Sequence, residues 1–184
     1  MKVLAISGSL RRDSYNTKLL RTAEELLPPD IELELYEGLK QVPPYDEDDD
    51  ARPAPAVVAL REAVADADAI LISTPEYNAS IPGQLKNALD WVSRPIATNT
   101  LRNKPVAVVG ASTGAFGAVW SQAELRKVLA TIGARVIEGD VAVGHAPTRF
   151  DDDGHLIDVD LREQLAEVVD ALLIEAGAPR LVAA

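Results

Sequence analysis

Short apolar runs alternate along this chain with stretches in which apolar residues recur every three or four positions. Val3, Leu4, Ala5 and Ile6 form one unbroken run, the mark of a strand buried on both faces. A Gly/Ser-rich segment follows, and then Leu19, Leu20, Ala23, Leu26 and Leu27 line one face of a predicted helix. Residues 31–36 alternate instead, with Ile31, Leu33 and Leu35 against Glu32 and Glu34, so this strand belongs near a sheet edge. After a loop carrying Pro43, Pro44 and the acidic run 46–50, a helix is predicted from about Pro55, with Val57, Leu60 and Val64 on one side. Residues 69–73 and 105–109 are the third and fourth strands, both apolar. Between them, residues 82–92 open on a helix-compatible proline and stripe Leu85, Ala88, Leu89 and Val92. Leu125, Val128, Leu129 and Ile132 mark the next helix, closed by Gly133. Residues 135–143 read as a fifth strand, and Leu161, Leu165, Val168, Val169 and Leu172 mark the last helix.

Five strands alternating with five helices is the pattern of a parallel sheet covered on both faces, and right-handed crossovers make it a doubly wound α/β fold. No repeat, linker or second composition appears, so residues 1–184 are expected to form one domain. Ligands of such folds sit beyond the carboxyl ends of the strands. That singles out the loops after Ile6, Ser73 and Val109.

Composition narrows the chemistry. With 47% hydrophobic and 26% charged residues, the chain lies far from intrinsic disorder. Its formal charge of −11 argues against nucleic acid or an anionic membrane surface as partner, and the densest basic patch is the pair Arg11 and Arg12. The absence of cysteine excludes disulfides, thiolate catalysis and Cys-ligated zinc or iron–sulfur centres. Two histidines, His145 and His155, leave little for a metal site, and none is expected. The triplet Asp151–Asp153 echoes a calcium loop but lacks the required spacing of acids, and it reads as a solvated turn, as does the run 46–50. The run 3–6 is too short for a signal peptide, and no stretch approaches the ~18 apolar residues of a membrane span, so a cytoplasmic protein without membrane insertion is expected.

The first loop, residues 8–17, is neither a dinucleotide fingerprint nor a Walker loop. It does gather the hydroxyls of Ser9, Ser14 and Thr17, the amide of Asn16 and the guanidinium of Arg11 around a helix N-terminus, where free N–H groups favour an anion. Capping by Ser14 or Asn16 leaves Arg11 and Ser9 unexplained, so a phosphate site is the better reading. The second loop, residues 74–83, is stiffened by Pro75 and Pro82 and offers backbone groups and Tyr77 to the edge of a planar heterocycle. The third, residues 110–117, contains G-x-S-x-G around Ser112. A serine esterase is therefore a rival reading, with Asp140 and His145, or Asp151 and His155, completing a triad. The bland alternative is that Gly110, Gly114 and Gly117 let backbone approach a ligand.

Taken together, Gly8-Ser9-Leu10-Arg11 with Ser14 and Asn16, and Pro75-Glu76-Tyr77-Asn78 continuing through Pro82-Gly83-Gln84-Leu85-Lys86-Asn87-Ala88-Leu89-Asp90-Trp91, resemble the NADPH-dependent FMN reductase family, which includes bacterial quinone, chromate and azo-dye reductases. The departures are mild: Arg12-Asp13 stands where Lys-Gly is common, and Gly110-Ala111 where polar residues are frequent. The resemblance implies a flavodoxin-like fold, a five-stranded parallel sheet in the order 2-1-3-4-5. It implies that Ser9, Arg11, Ser14, Asn16 and Thr17 hold the phosphate of bound FMN. It further implies that Pro75, Glu76, Tyr77 and Asn78 line the flavin ring, with N–H groups of residues 76–78 near its polar edge, and that Ser112 and Gly114 meet the cofactor from the third loop. The reaction implied is ping-pong transfer from NADPH or NADH through FMN to a small acceptor such as a quinone, free flavin, azo dye or chromate, with no catalytic side chain required. A homodimer, often a tetramer, is implied too, with the helices after Pro82 and Phe116 contributing, while Trp91 and Trp120 serve packing or interface. A flavodoxin-type electron carrier shares the fold and acidity but ordinarily holds its phosphate with a T-x-T-G-x-T loop.

Overall fold

Residues Lys2–Ser7 (β1) are apolar on both faces and become the second strand of a parallel sheet, flanked by Glu32–Leu35 (β2) at the edge and Ala69–Thr74 (β3) on the inside. A computed structural model describes residues 1–177, so the part of the expected domain beyond residue 177 lies outside the described residues. Pro105–Ala111 (β4) pairs with β3, and the short strands Arg135–Val136 (β5) and Ala142–Val143 (β6) both pair with β4. The order β2-β1-β3-β4-β5 is the flavodoxin-like order expected, with every pairing parallel.

Alternation within the strands splits the core in two. Val3 and Ala5 of β1 pack with Leu19, Leu20 and Ala23 of helix Tyr15–Glu25 (α1) and with Leu165, Val169 and Leu172 of helix Val159–Glu175 (α5). Leu4 and Ile6 face the other way, onto Leu60 of Pro55–Asp66 (α2), Leu85 of Gly83–Val92 (α3) and Leu125 of Val119–Ile132 (α4). Trp91, 1% exposed, fills that second layer and donates its indole N–H to the Pro43 carbonyl at 2.8 Å. The acidic run departs from a simple solvated loop: it forms a short 3-10 turn, and Asp50 is drawn in to pair with Arg61 at 2.9 Å. No helix among the described residues is long and apolar enough to cross a membrane.

The fifth strand is broken where the pattern predicts continuity over 135–143. The Ile137 N–H still donates to Val106 at 2.8 Å, but beyond it Arg126 of α4 inserts between the chains. Its guanidinium donates to the Val108 carbonyl at 2.9 Å and the Gly139 carbonyl at 2.6 Å, and so takes the acceptor that a continuing strand needs. The ladder resumes at Ala142 and Val143, opposite Gly110 and Ala111.

One side chain gathers the strand ends that carry the three loops. Asn16, in the first turn of α1 and 3% exposed, reaches across the sheet edge. Its carbonyl oxygen accepts from the Ser73 hydroxyl at 2.8 Å and the Ala111 N–H at 3.0 Å, while its amide donates to the Ala111 carbonyl at 3.0 Å. The carboxamide thus replaces a missing strand neighbour for Ala111 and ties it to β3. Asn16→Ala leaves a buried N–H, carbonyl and hydroxyl to find new partners, and we expect it to cost about 2–4 kcal/mol. Urea unfolding measures this, and an unchanged midpoint would overturn the assignment.

Candidate functional site

The first loop turns sharply off β1 because its backbone presses against the second. The Gly8 N–H donates to the Ser73 carbonyl at 2.8 Å, and a Cβ on Gly8 would stand 2.9 Å from Leu85 and 3.2 Å from Pro75. Ser14 then caps α1, its hydroxyl oxygen accepting from the N–H groups of Asn16 (3.2 Å) and Thr17 (3.4 Å). Thr17 turns its own hydroxyl to Ser7 at 3.0 Å. Arg11 is exposed; its guanidinium donates to the Asp13 carbonyl at 3.0 Å and no carboxylate pairs with it among the described residues. The N–H groups of Ser9, Leu10 and Tyr15 likewise find no protein acceptor among the described residues. Free N–H groups, a helix N-terminus and an unpaired guanidinium make a donor set suited to a phosphate.

The second loop closes in a tight turn at Asn78 and Ala79, both at positive φ (54° and 57°), and Tyr77 and Ser80 exchange N–H···O bonds of 3.2 and 3.1 Å across it. The Tyr77 N–H is therefore engaged, while those of Glu76 and Asn78 have no partner among the described residues. Two acids of distant origin clamp this turn to α4. The Glu76 carboxylate accepts from the N–H groups of Trp120 and Ser121, both at 3.1 Å, and Glu124 accepts from the Ser80 hydroxyl at 2.6 Å. Helix α4 has no side-chain cap of its own, since Ala118 precedes it, so Glu76 supplies the missing acceptor and complements the helix dipole. The Thr74 and Ser121 hydroxyls meet at 3.0 Å beneath.

In the third loop, Ser112 is laced to the chain after β6: its N–H donates to Val143 (3.0 Å) and its carbonyl accepts from Ala146 (3.0 Å). The Gly114 carbonyl accepts from the His145 N–H at 2.8 Å and lies 3.4 Å from the Ser112 hydroxyl. Gly117, at φ +56°, passes so close to Ala142 that a Cβ would lie 2.3 Å from its carbonyl carbon. The geometry does not make an esterase. Ser112 is not among the residues with the positive φ of a strained elbow. Asp140 pairs with Arg126 at 3.0 Å, and His155 lies between Asp151 (3.3 Å) and Glu25 (3.5 Å), around a different cleft. There the His155 N–H, donating to Asp151, holds that carboxyl below its usual range, within a turn whose Asp152 and Asp153 are exposed as expected.

Eight of the eleven expected site residues border one open cleft of about 110 Å³ at the carboxyl ends of β1, β3 and β4. Ser9, Arg11, Ser14 and Asn16 form one end, Pro75, Glu76 and Tyr77 a wall, and Ser112 the facing side. Thr17, Asn78 and Gly114 do not border it: Thr17 faces Ser7, Asn78 sits at the tip of its turn, and Gly114 offers a carbonyl to His145. Sequence reasoning missed Tyr15, Ala111 and Thr113, which complete the lining. Tyr15 follows the cap directly and packs on Phe150 at 5.5 Å between ring centroids, a partner far along the chain. The lining fits FMN by its chemistry, since anion donors stand at one end and a proline, an aromatic side chain and small residues flank the other.

The sequence profile of NADPH-dependent FMN reductases matches residues 1–148, which contain all three loops. An NAD(P)H-dependent FMN reductase of Pseudomonas aeruginosa is 42% identical over 174 residues, covering 94% of this chain and 93% of its own length. A 2-hydroxy-1,4-benzoquinone reductase of a Burkholderia species is 37% identical, over 92% and 93% of the two chains. Among solved structures, the flavoenzyme NAD(P)H:(acceptor) oxidoreductase FerB of Paracoccus denitrificans superposes with a TM-score of 0.84 at 33% identity, covering 95% of this chain and 96% of that one. Nearly full-length agreement in sequence and fold, with the phosphate-suited loop and the clamped turn meeting at one cleft, carries a single conclusion: the chain belongs to the NADPH-dependent FMN reductase family.

Proposed function

We propose that this chain is an FMN-dependent NAD(P)H oxidoreductase that passes electrons to a small aromatic acceptor of the quinone class. The observation that carries the reading is the single cleft joining the anion-donor end at Ser9, Arg11 and Ser14 to the wall formed by Pro75, Glu76 and Tyr77. Bound FMN supplies reversible two-electron chemistry, which the side chains themselves lack. The protein's part is to bind and orient. Arg11 and the open N–H groups hold the phosphate, and the Glu76 and Asn78 N–H groups face the ring edge with no competing protein acceptor. Glu76 keeps its negative charge turned into α4, where it fixes that wall in place. Tyr77, Phe116 and Trp120 are exposed beside the loops, the last two in edge contact at 5.0 Å, and offer stacking surface to a planar donor or acceptor. The quinone class is supported by the relative that reduces 2-hydroxy-1,4-benzoquinone. The same exposed aromatics, with Val119, support a homo-oligomer, and a reductase fed by NAD(P)H works where that pool is kept, in the cytoplasm.

The purified protein is expected to be yellow, to release FMN rather than FAD on denaturation, and to bleach anaerobically with NADPH. Its initial rates with a benzoquinone should give parallel double-reciprocal lines. A colourless protein that takes up no FMN would sink the proposal.

Arg11→Ala removes one charge-assisted contact to the phosphate, worth roughly 1.5–3 kcal/mol, so the FMN dissociation constant should rise about ten- to a hundredfold. Titration of apoprotein with FMN reads this directly, and unchanged affinity shows that Arg11 serves something else.

Ser112→Ala costs at most one neutral hydrogen bond, roughly 0.5–1.5 kcal/mol, so NADPH oxidation should fall only severalfold. Ester hydrolysis by the parent that disappears in this variant is the result that restores a serine nucleophile.

A further inference from the structure

The first loop has a second side. Behind the cleft, between residues 9–12 and the chain leaving β2, lies a groove of about 330 Å³. Ser9 and Arg11 border both spaces, so the groove adjoins the cleft across the first loop. Three of its lining residues are cations. The chain carries −11 overall, and among the described residues eight lysines and arginines are ion-paired, Arg21, Arg61 and Arg126 among them. Arg11, Arg12 and Lys40, which all border this groove, have no ion pair among the described residues. Cations left unpaired in an acidic protein create a local positive field that an incoming anion feels first. One carboxylate, that of Glu37, stands among them.

The remaining walls are apolar or neutral. Leu10, 46% exposed, and Leu39 contribute aliphatic surface. Burial pushes the Tyr36 phenol up, so it stays a neutral hydroxyl, 3.5 Å from the Ala56 carbonyl. With Arg11 assigned to the flavin phosphate, a flat base against Leu10 and Tyr36 and a dianionic group between Arg12 and Lys40 is the occupant that this combination suits.

We propose that the groove receives the adenosine 2′-phosphate end of NADPH, and that Arg12 and Lys40 make the protein prefer NADPH to NADH. The inference rests on the reductase reading, because it takes the nicotinamide end of the same molecule to lie against a flavin held in the cleft. Glu37 sharpens the choice. Alone it would favour the free 2′-hydroxyl of NADH, as an acceptor, and repel a phosphate; against it stand Arg12 and Lys40.

The test is calorimetric titration of the FMN-loaded protein with adenosine 2′,5′-bisphosphate and, separately, with adenosine 5′-diphosphate, ligands that differ in where the second phosphate sits. The 2′,5′ isomer should bind at least about tenfold more tightly. Arg12→Gln and Lys40→Gln should each weaken it roughly three- to tenfold. In both variants the ratio of kcat/KM for NADPH to that for NADH should fall by a similar factor. Equal affinity for the two isomers, or variants that bind the 2′,5′ isomer as the parent does, overturns the assignment. A yellow protein that oxidises NADH yet ignores the 2′-phosphate refutes the groove and leaves the reductase reading standing. A protein that takes up no flavin refutes that reading instead, and with it the purpose assigned to the groove.

Discussion

The site depends on the buried carboxamide of Asn16. Loops that leave a parallel sheet at separate strand ends have no reason of their own to stay in register, since their backbone groups point to solvent. Asn16 joins three of them: it stands in the helix after the first loop, accepts from Ser73 at the end of β3 and brackets both backbone groups of Ala111 at the end of β4. An amide suits the task because it presents donor and acceptor side by side, matching the N–H and C=O of one residue. This also explains a residue that the family resemblance places on the phosphate. Its side chain is committed to holding the loops together, while Arg11 and the open N–H groups of the first loop keep no carboxylate or protein acceptor among the described residues.

Around this bracket, charged groups do structural work that a reading of single loops assigns to ligands or solvent. Glu76 serves as the N-cap of a helix that begins more than forty residues later, and Glu124 of that helix reaches back to Ser80. The turn bearing Tyr77 is therefore held from two sides, which gives a planar ligand a fixed wall. Arg126 spends its guanidinium on the carbonyls of Val108 and Gly139 and opens the sheet where β4 meets the last strands. With these cations and acids committed inside the fold, Arg11, Arg12 and Lys40 near the first loop keep no ion pair among the described residues.

Much of the architecture was legible because its causes are local. Unbroken apolar runs at residues 3–6, 69–73 and 105–109 mark strands buried on both faces, and the alternation at 31–36 marks the edge, where β2 lies. Gly133 closes α4 in the left-handed conformation its position suggests. Part of the candidate site's assembly was legible too: hydroxyls, an amide and an arginine at a strand-to-helix turn point to an anion, and eight of the eleven expected residues meet at one cleft. Tyr15, Ala111 and Thr113 gave no such signal, since one is an ordinary helix-start residue and the others are small residues beside a glycine. The broken fifth strand was equally silent, because its cause is a side chain arriving from another element.

The sequence by itself determined the α/β alternation, the places of the strands, the edge position of the second and the three loops where chemistry is concentrated, because periodicity and turn residues act within a few positions of where they stand. Tertiary structure alone decided which of the polar residues brace the protein. Asn16, Glu76, Thr17 and Arg126 have functional groups that could serve a ligand equally well, and only the distance to a partner many residues away commits each of them to the protein. It also decided that Arg11, Arg12 and Lys40 stand unpaired along one groove, since charge balance within a folded chain is set by which side chains meet and not by how many there are.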